Sequence, residues 1–153
     1  MVSKAYRDKL EAEKARRTVQ LLFKAARLLN ERAIERIRLR TDQPVRVTHT
    51  TVLPHIDLEG TRLTELARRL GVTKQAAGQL VDELEEMGFL ERVADPKDAR
   101  AKLVRYSKKG QAAMLEGLQV LGEIEAEMRD VVGEAKMRAM HEALAAVIAS
   151  IEA

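Results

Sequence analysis

The sequence predicts a mainly α-helical domain that carries one small β-hairpin, and three observations support this fold class. Aromatic residues make up only 3% of the chain and charged residues 33%, which is typical of helical bundles rich in Ala, Leu, Glu and Arg. Apolar residues recur at spacings of three and four over most of the chain, as on the buried face of a helix. Only residues 89–106 change to short runs of strand-forming residues.

The N-terminal region predicts a long helix with at most one break. No Gly or Pro occurs before Pro44, and one apolar stripe has helical spacing through Val19, Leu22, Ala26, Leu29, Ala33 and Ile37. Residues 41–44 are then expected to end this helix and to form a turn. A short element follows from Thr48 to Leu58, and Pro54 is expected to kink it or to start a new helix there.

Residues 63–88 predict two helices joined by a short turn. The first has an apolar face and ends at Gly71, a residue suited to positive φ. Thr73 is a good N-cap for the second helix, which buries an apolar face of its own and ends at Gly88. This is the layout of a helix-turn-helix.

The segment directly behind the second helix predicts a β-hairpin, or wing. Its two strands are Phe89 to Val93 and Lys102 to Tyr106, with an eight-residue polar link from Ala94 to Ala101. The link contains Pro96 between aspartates, which is strong turn chemistry. We therefore expect a hairpin with a long loop.

The chain returns to helix after Gly110, and a second helix follows Gly133. Gly117 and Gly122 interrupt the first of these helices, where they mark a bend or a close helix approach. The N- and C-terminal helices carry more apolar surface, arranged in stripes, than is needed to cover the core of a small winged helix. We therefore expect a homodimer, and the alternative is a compact monomeric bundle.

Composition and charge narrow the class of protein. A chain of 153 residues is expected to be one domain, and its lack of cysteine excludes disulfides, thiolate zinc sites and cysteine nucleophiles. No apolar run spans a bilayer or follows the N-terminal charges as in a secretion signal, so we expect a soluble, cytoplasmic protein with no membrane partner. Residues 1–40 carry 12 basic and 5 acidic side chains, whereas residues 111–153 carry 3 and 8. This polarity suggests an anionic partner near one part of the molecule, although a run of charges is usually only a solvated face.

A helix-turn-helix followed by a hairpin is an arrangement that reads double-stranded DNA. The N-terminal end of the second helix enters the major groove, where Gln can bond adenine, Lys can reach guanine and Thr can contact a phosphate. An arginine on the wing can enter the minor groove, and Asp98 is expected to brace the Arg100 guanidinium. The alternatives are a solvated polar turn and an ordinary charged hairpin tip. The predicted DNA-binding residues are Thr73, Lys74, Gln75, Gln79, Lys97, Asp98, Arg100 and Lys102.

The motifs in this region resemble the MarR family of bacterial winged helix-turn-helix transcriptional regulators. They are Leu-Thr-Glu-Leu-Ala-Arg-Arg-Leu-Gly at 63–71, the helix at 73–88, and Asp-Pro-Lys-Asp-Ala-Arg at 95–100. The resemblance implies one domain over 1–153, with dimerisation helices at 1–45 and 108–153 and the winged helix-turn-helix at 46–107. It further implies a homodimer on a pseudo-palindromic operator, with Arg100 in the minor groove and Asp98 as its partner. Family members commonly repress nearby genes and release DNA when a small, often phenolic, ligand binds.

Other functions receive less support from the sequence. The three histidines are most simply isolated surface or core residues, because His49 and His55 do not share a helix face, so we predict no metal site and no cofactor. A phosphate-cradling loop, an HExxH motif and a nucleophile elbow are missing, so we predict no catalytic residues and no enzyme. The remaining alternative is a winged-helix protein–protein interaction module without DNA affinity. The sequence does not identify the effector, its pocket or the operator.

Overall fold

The computed structural model describes residues 2–153, apart from the side chain of Ala99, and the fold is mainly helical as predicted. Its elements are, in chain order, α1 (Lys4–Ala15), α2 (Thr18–Thr41), α3 (Val47–Val52), a 3-10 turn (Leu53–His55), β1 (Thr61–Arg62), α4 (Leu63–Leu70), α5 (Lys74–Glu86), β2 (Leu90–Asp95), β3 (Asp98–Tyr106), α6 (Lys108–Val132) and α7 (Glu134–Glu152). The predicted break in the N-terminal helix lies at residues 16–17. The predicted stop follows Thr41, where Asp42 adopts positive φ.

The winged helix comprises α3, α4, α5 and a three-stranded antiparallel sheet of order β1-β3-β2. Its core joins one face of each helix to the inner face of the sheet, and Leu66, Val81 and Leu84 are almost completely buried there. Tyr106 at the end of β3 belongs to the same core, and its hydroxyl donates to the Leu53 carbonyl at 2.5 Å. This single core fixes the two helices and the hairpin relative to one another.

The turn between α4 and α5 confirms the predicted helix-turn-helix. Gly71 has a φ of 66°, the left-handed conformation that ends α4. The Thr73 hydroxyl oxygen accepts a hydrogen bond from the Ala76 backbone N–H at 3.1 Å and so caps α5. The recognition helix of the motif is therefore α5, Lys74–Glu86.

The predicted long loop of the wing is wrong. The strands extend to Asp95 and start again at Asp98, so only Pro96 and Lys97 lie between them. An Asp95 carboxylate oxygen accepts from the Lys97 backbone N–H at 2.8 Å, which tightens the turn. Across the hairpin Ala94 pairs with Lys102 and Asp95 pairs with Asp98, and the register is irregular between these two pairs.

The helices outside the winged helix form a second, smaller core. Ala33 of α2 packs there against the buried Val120 and Ile124 of α6. Ion pairs border this core, with Arg36 2.5 Å from Glu127 across the two helices. The described part of the chain therefore holds α2 and α6 together through both apolar and charged contacts.

Helix α6 corrects two predictions. It begins at Lys108, with Ser107 as N-cap, so Gly110 lies inside its first turn rather than before it. Gly117 and Gly122 lie in one continuous helix, and a Cβ at either would meet no described atom within 4 Å. They therefore mark no interruption of the helix and no close helix approach within the described chain.

The terminal helices have little cover from their own chain. Neither α1 nor α7 contains a buried residue. In residues 2–153, no helix combines the length and the apolar character needed to cross a membrane.

Candidate nucleic-acid interface

The N-terminal half of α5 presents polar side chains to solvent. Thr73, Lys74, Gln75 and Gln79 are all exposed. In residues 2–153, the side chains of Lys74, Gln75 and Gln79 have no hydrogen-bond partner, whereas the Thr73 hydroxyl oxygen is used by the cap. This end of the helix thus offers donors and acceptors that the fold itself does not need.

Three of the four acidic residues of α5 pair with neighbouring arginines. Arg92 of β2 contacts Asp82 at 2.7 Å and also pairs with Glu85. Arg46, which precedes α3, pairs with Glu83. Three of the four negative charges that would repel a phosphate backbone therefore face a cation, and the fourth, Glu86, lies exposed at the C-terminal end of the helix.

Glu83 also joins α5 to a buried histidine. His49 of α3 is only 2% exposed, and its Nε2 lies 2.7 Å from a Glu83 carboxylate oxygen. Its Nδ1 accepts from the Arg46 backbone N–H at 3.2 Å, so the neutral ring with the proton on Nε2 satisfies both contacts. Hydrogen bonds from His49 and Arg46 lower the pKa of Glu83. The prediction of isolated histidines is therefore wrong for His49.

The wing is braced by Arg62, a residue that the sequence analysis did not single out. The Arg62 guanidinium lies 2.6 Å from the buried carboxylate of Asp95 and 3.5 Å from that of Asp98. The Lys97 backbone N–H and Arg62 together lower the pKa of Asp95. The partners of Arg62 follow it by 33 and 36 residues, so no local motif could reveal the contact.

The expected pairing of Asp98 with the Arg100 guanidinium is not found. An Asp98 oxygen instead accepts from the Arg100 backbone N–H at 3.1 Å, which shapes the start of β3 and leaves the guanidinium to solvent. Lys97, Arg100 and Lys102 are exposed. Arg100 and Lys102 both lie on β3, at its start beside the turn.

A second ionic cluster fixes the start of the winged helix. Arg69 of α4 contacts both carboxylate oxygens of Asp57 at 2.9 Å and donates to the His55 carbonyl. Arg68 and Arg69 also bond Glu65, one turn earlier, and lower its pKa to about 2. The segment that precedes β1 is therefore tied to α4 by charge as well as by packing.

A cavity of about 220 Å³ lies between α2, α6 and the winged helix. Its lining is mainly apolar and, in the described chain, includes no Asp, Glu, Lys or Arg side chain. The Asn30 amide donates to the Thr50 hydroxyl oxygen at 3.0 Å, and His49 lines the cavity while bonding Glu83. One wall of the cavity thus touches a residue that contacts the recognition helix.

Comparisons with known proteins agree with this architecture. Residues 44–101 match a family model described as MarR family. A MarR family protein from Bacillus stearothermophilus has 19% sequence identity and a TM-score of 0.69, with all of both chains covered. RV1404 from Mycobacterium tuberculosis has 22% identity and a TM-score of 0.70, covering 86% of this chain and 90% of its own.

A third structure was solved with a ligand. CouR from Rhodococcus jostii RHA1, bound to p-coumaroyl-CoA, has 22% identity and a TM-score of 0.61, covering 88% of this chain and 93% of its own. A search of curated proteins finds none that matches the chain. Residues 44–101 of this chain are thus similar in sequence to the MarR family, and the chain shares the fold of these solved structures over nearly its whole length.

Proposed function

We propose that the protein is a homodimeric repressor that binds a specific DNA operator and is released from it by a small organic ligand. The observation that carries this proposal is the division of α5 into two halves. Its N-terminal half holds exposed Lys74, Gln75 and Gln79, which have no partner among the described residues. Of the acidic residues that follow, Asp82, Glu83 and Glu85 face arginines. A protein-binding platform would have no need for such a cluster of base-reading side chains.

The wing supports the same function. Arg62 and Asp95 hold the turn, so Lys97 and Arg100 extend from a fixed hairpin rather than from a loose loop. A narrow minor groove attracts an arginine, because the negative potential is greatest there. We assign Arg100 to the minor groove and Lys97 and Lys102 to phosphates, with Asp98 shaping the backbone at Arg100.

The terminal helices support dimerisation. Helix α7 has 19 residues and none of them is buried, whereas most of the stability of a helix in a protein comes from tertiary packing of its apolar face. Large apolar side chains are exposed on it, including Val147, Ile148 and Ile151. A second copy would cover them, and two winged helices would then meet two half-sites of an operator.

Sedimentation equilibrium tests the dimer. Ile148→Glu should shift the protein toward monomer, since a buried carboxylate without a partner is strongly unfavourable. Ala149→Glu is the matched control, one residue along the exposed helix, and should leave the mass unchanged. A monomeric wild type at micromolar concentration would contradict the assignment.

The cavity supports a ligand response. An apolar cavity of about 150 Å³ accommodates benzene, so about 220 Å³ fits a substituted single ring. CouR is bound to a coenzyme A thioester, whereas this lining includes no charged side chain among the described residues. We therefore expect a neutral ligand. His49 offers a route from the cavity to α5 through Glu83.

Fluorescence anisotropy tests the DNA-binding function. The probe is the DNA upstream of the protein's own gene, and the reference is a scrambled duplex of equal length. Arg100→Ala should weaken binding to the upstream DNA at unchanged thermal stability, because its guanidinium has no partner within the described structure. Arg138→Ala removes one exposed positive charge from α7 and should leave binding unchanged. Equal affinities of the wild type and Arg100→Ala for the upstream DNA would contradict a role of the wing arginine in DNA binding.

A further inference from the structure

We propose that Gly78 makes room on the recognition helix for the methyl group of a thymine, so that the operator half-site contains a thymine beside an adenine. This inference rests on the proposed DNA-binding function and specifies part of what α5 reads. Gly78 is not among the residues to which the sequence analysis assigned a DNA contact.

The fold does not require glycine at position 78. Glycine in a helix interior is less favourable than alanine, and Gly78 lies in the middle of α5. A Cβ at this position would meet only the Leu63 Cδ2, at 3.8 Å, which is an ordinary van der Waals contact. At Gly110, by contrast, a Cβ would lie 1.9 Å from a backbone oxygen. The reason for Gly78 therefore lies outside the packing of this chain.

Gly78 forms part of a shallow depression on the outer face of α5. Gln75 and Gln79 line the same depression, together with Leu63 of α4. Residues 75, 78 and 79 are three and four apart and so share one helix face. The apolar Leu63 side chain lies beneath the space that a side chain at position 78 would occupy. The depression thus has an apolar floor at Leu63, and its sides carry the glutamine amides together with the charged side chains of Lys74, Asp82 and Arg92.

This combination matches one feature of the major groove. The C5 methyl of thymine is the apolar group that a base pair presents there, and a glutamine amide can bond the N6 and N7 atoms of adenine. A methyl group seated over Gly78 would contact Leu63, while Gln75 or Gln79 bonds a neighbouring adenine. A larger side chain at position 78 would fill the space that the methyl group needs.

The test removes single methyl groups from bound DNA. The probe is a duplex selected by the full-length protein from a random pool, with each thymine replaced in turn by deoxyuridine, which lacks only the methyl group. At one thymine in each half-site, the replacement should weaken wild-type binding about fourfold, the effect of exposing one buried methyl-sized group. Gly78→Val should abolish this preference for thymine over deoxyuridine.

Ala76→Val is the matched control, because Ala76 is on the same helix but does not line the depression. It should keep the fourfold preference, whatever its effect on overall affinity. Equal binding of every thymine and deoxyuridine duplex by the wild type would overturn the proposal. So would a preference that survives Gly78→Val or disappears in Ala76→Val. Failure to select any duplex from the pool would instead contradict the proposed DNA-binding function.

Discussion

Replacement of Gly110 by alanine should destabilise the protein through a contact between backbones. The new Cβ would lie 1.9 Å from the Phe89 carbonyl oxygen and 2.8 Å from its carbon. Phe89 cannot withdraw easily, because its N–H donates to the Leu84 carbonyl at 2.8 Å and its oxygen accepts from Ser107 at 3.0 Å. The start of α6 must move instead. Overpacking of this kind typically costs about 1–3 kcal/mol, and we expect the upper part of that range.

Gly117→Ala is the matched control in the same helix. A Cβ there would meet no described atom within 4 Å, so the substitution should stabilise α6 by up to about 1 kcal/mol through helix propensity. The two variants make the same chemical change seven residues apart. Their free energies of unfolding should therefore differ by roughly 2–4 kcal/mol, with Gly110→Ala the less stable.

Urea denaturation measures this difference. Both variants and the wild type should be compared at one protein concentration, because the apparent stability of a dimer depends on concentration. If Gly110→Ala unfolds within about 0.5 kcal/mol of the wild type, the range expected of a neutral surface change, the close contact between α6 and Phe89 is incorrect.

Two further variants and the pH dependence of stability test the cap, the wing and the ionic cluster. In the urea assay, Thr73→Ala should lower the free energy of unfolding by about 1 kcal/mol, which is the usual effect of losing an N-cap. Arg62→Ala should increase amide exchange in the wing, because Asp95 loses its cation. In the folded protein, arginines hold the pKa of Glu65 at about 2, below its ordinary value of 4.5. The stabilisation from ionised Glu65 is therefore complete above about pH 4.5 and is lost as the pH falls toward 2.

Each of these three tests has a result that would contradict the explanation behind it. Thr73→Ser should retain most of the stability that Thr73→Ala loses, and equal losses would exclude the hydroxyl cap. Wing amide exchange equal to that of the wild type in Arg62→Ala would show that the turn holds without its ion pair. Glu65→Gln should lose its stability difference from the wild type as the pH falls toward 2. A difference that persists there would assign the effect to packing.

The sequence predicted best the elements that are encoded locally. Gly71 and Thr73 act through their own turn, so the helix-turn-helix could be read from a few neighbouring residues. The wing was harder, because residues 94–101 have loop composition, while all of them except Pro96 and Lys97 belong to β2 or β3. Composition alone does not distinguish a polar edge of a sheet from a loop.

The contacts that organise the candidate site link residues distant in the sequence. Arg62 reaches Asp95, and His49 reaches Glu83 across 34 residues. Neither pair has a fixed sequence spacing by which a motif could reveal it, because the packing of the core determines which side chains come into contact. The expected bond between Asp98 and the Arg100 guanidinium was local, and it was replaced by a backbone contact together with the distant arginine.

The central claim is that the polar half of α5 reads a base sequence, and its most direct test is the specificity ratio of a recognition-helix variant. Anisotropy at near-physiological salt should show wild-type binding to the upstream DNA at least ~10³ tighter than to the scrambled duplex. The double variant Gln75→Ala/Gln79→Ala should reduce that ratio at least tenfold, with little change in binding to the scrambled duplex, since phosphate contacts remain. An unchanged ratio in the double variant, or equal wild-type affinity for the two duplexes, would contradict the assignment of α5 as the reading helix.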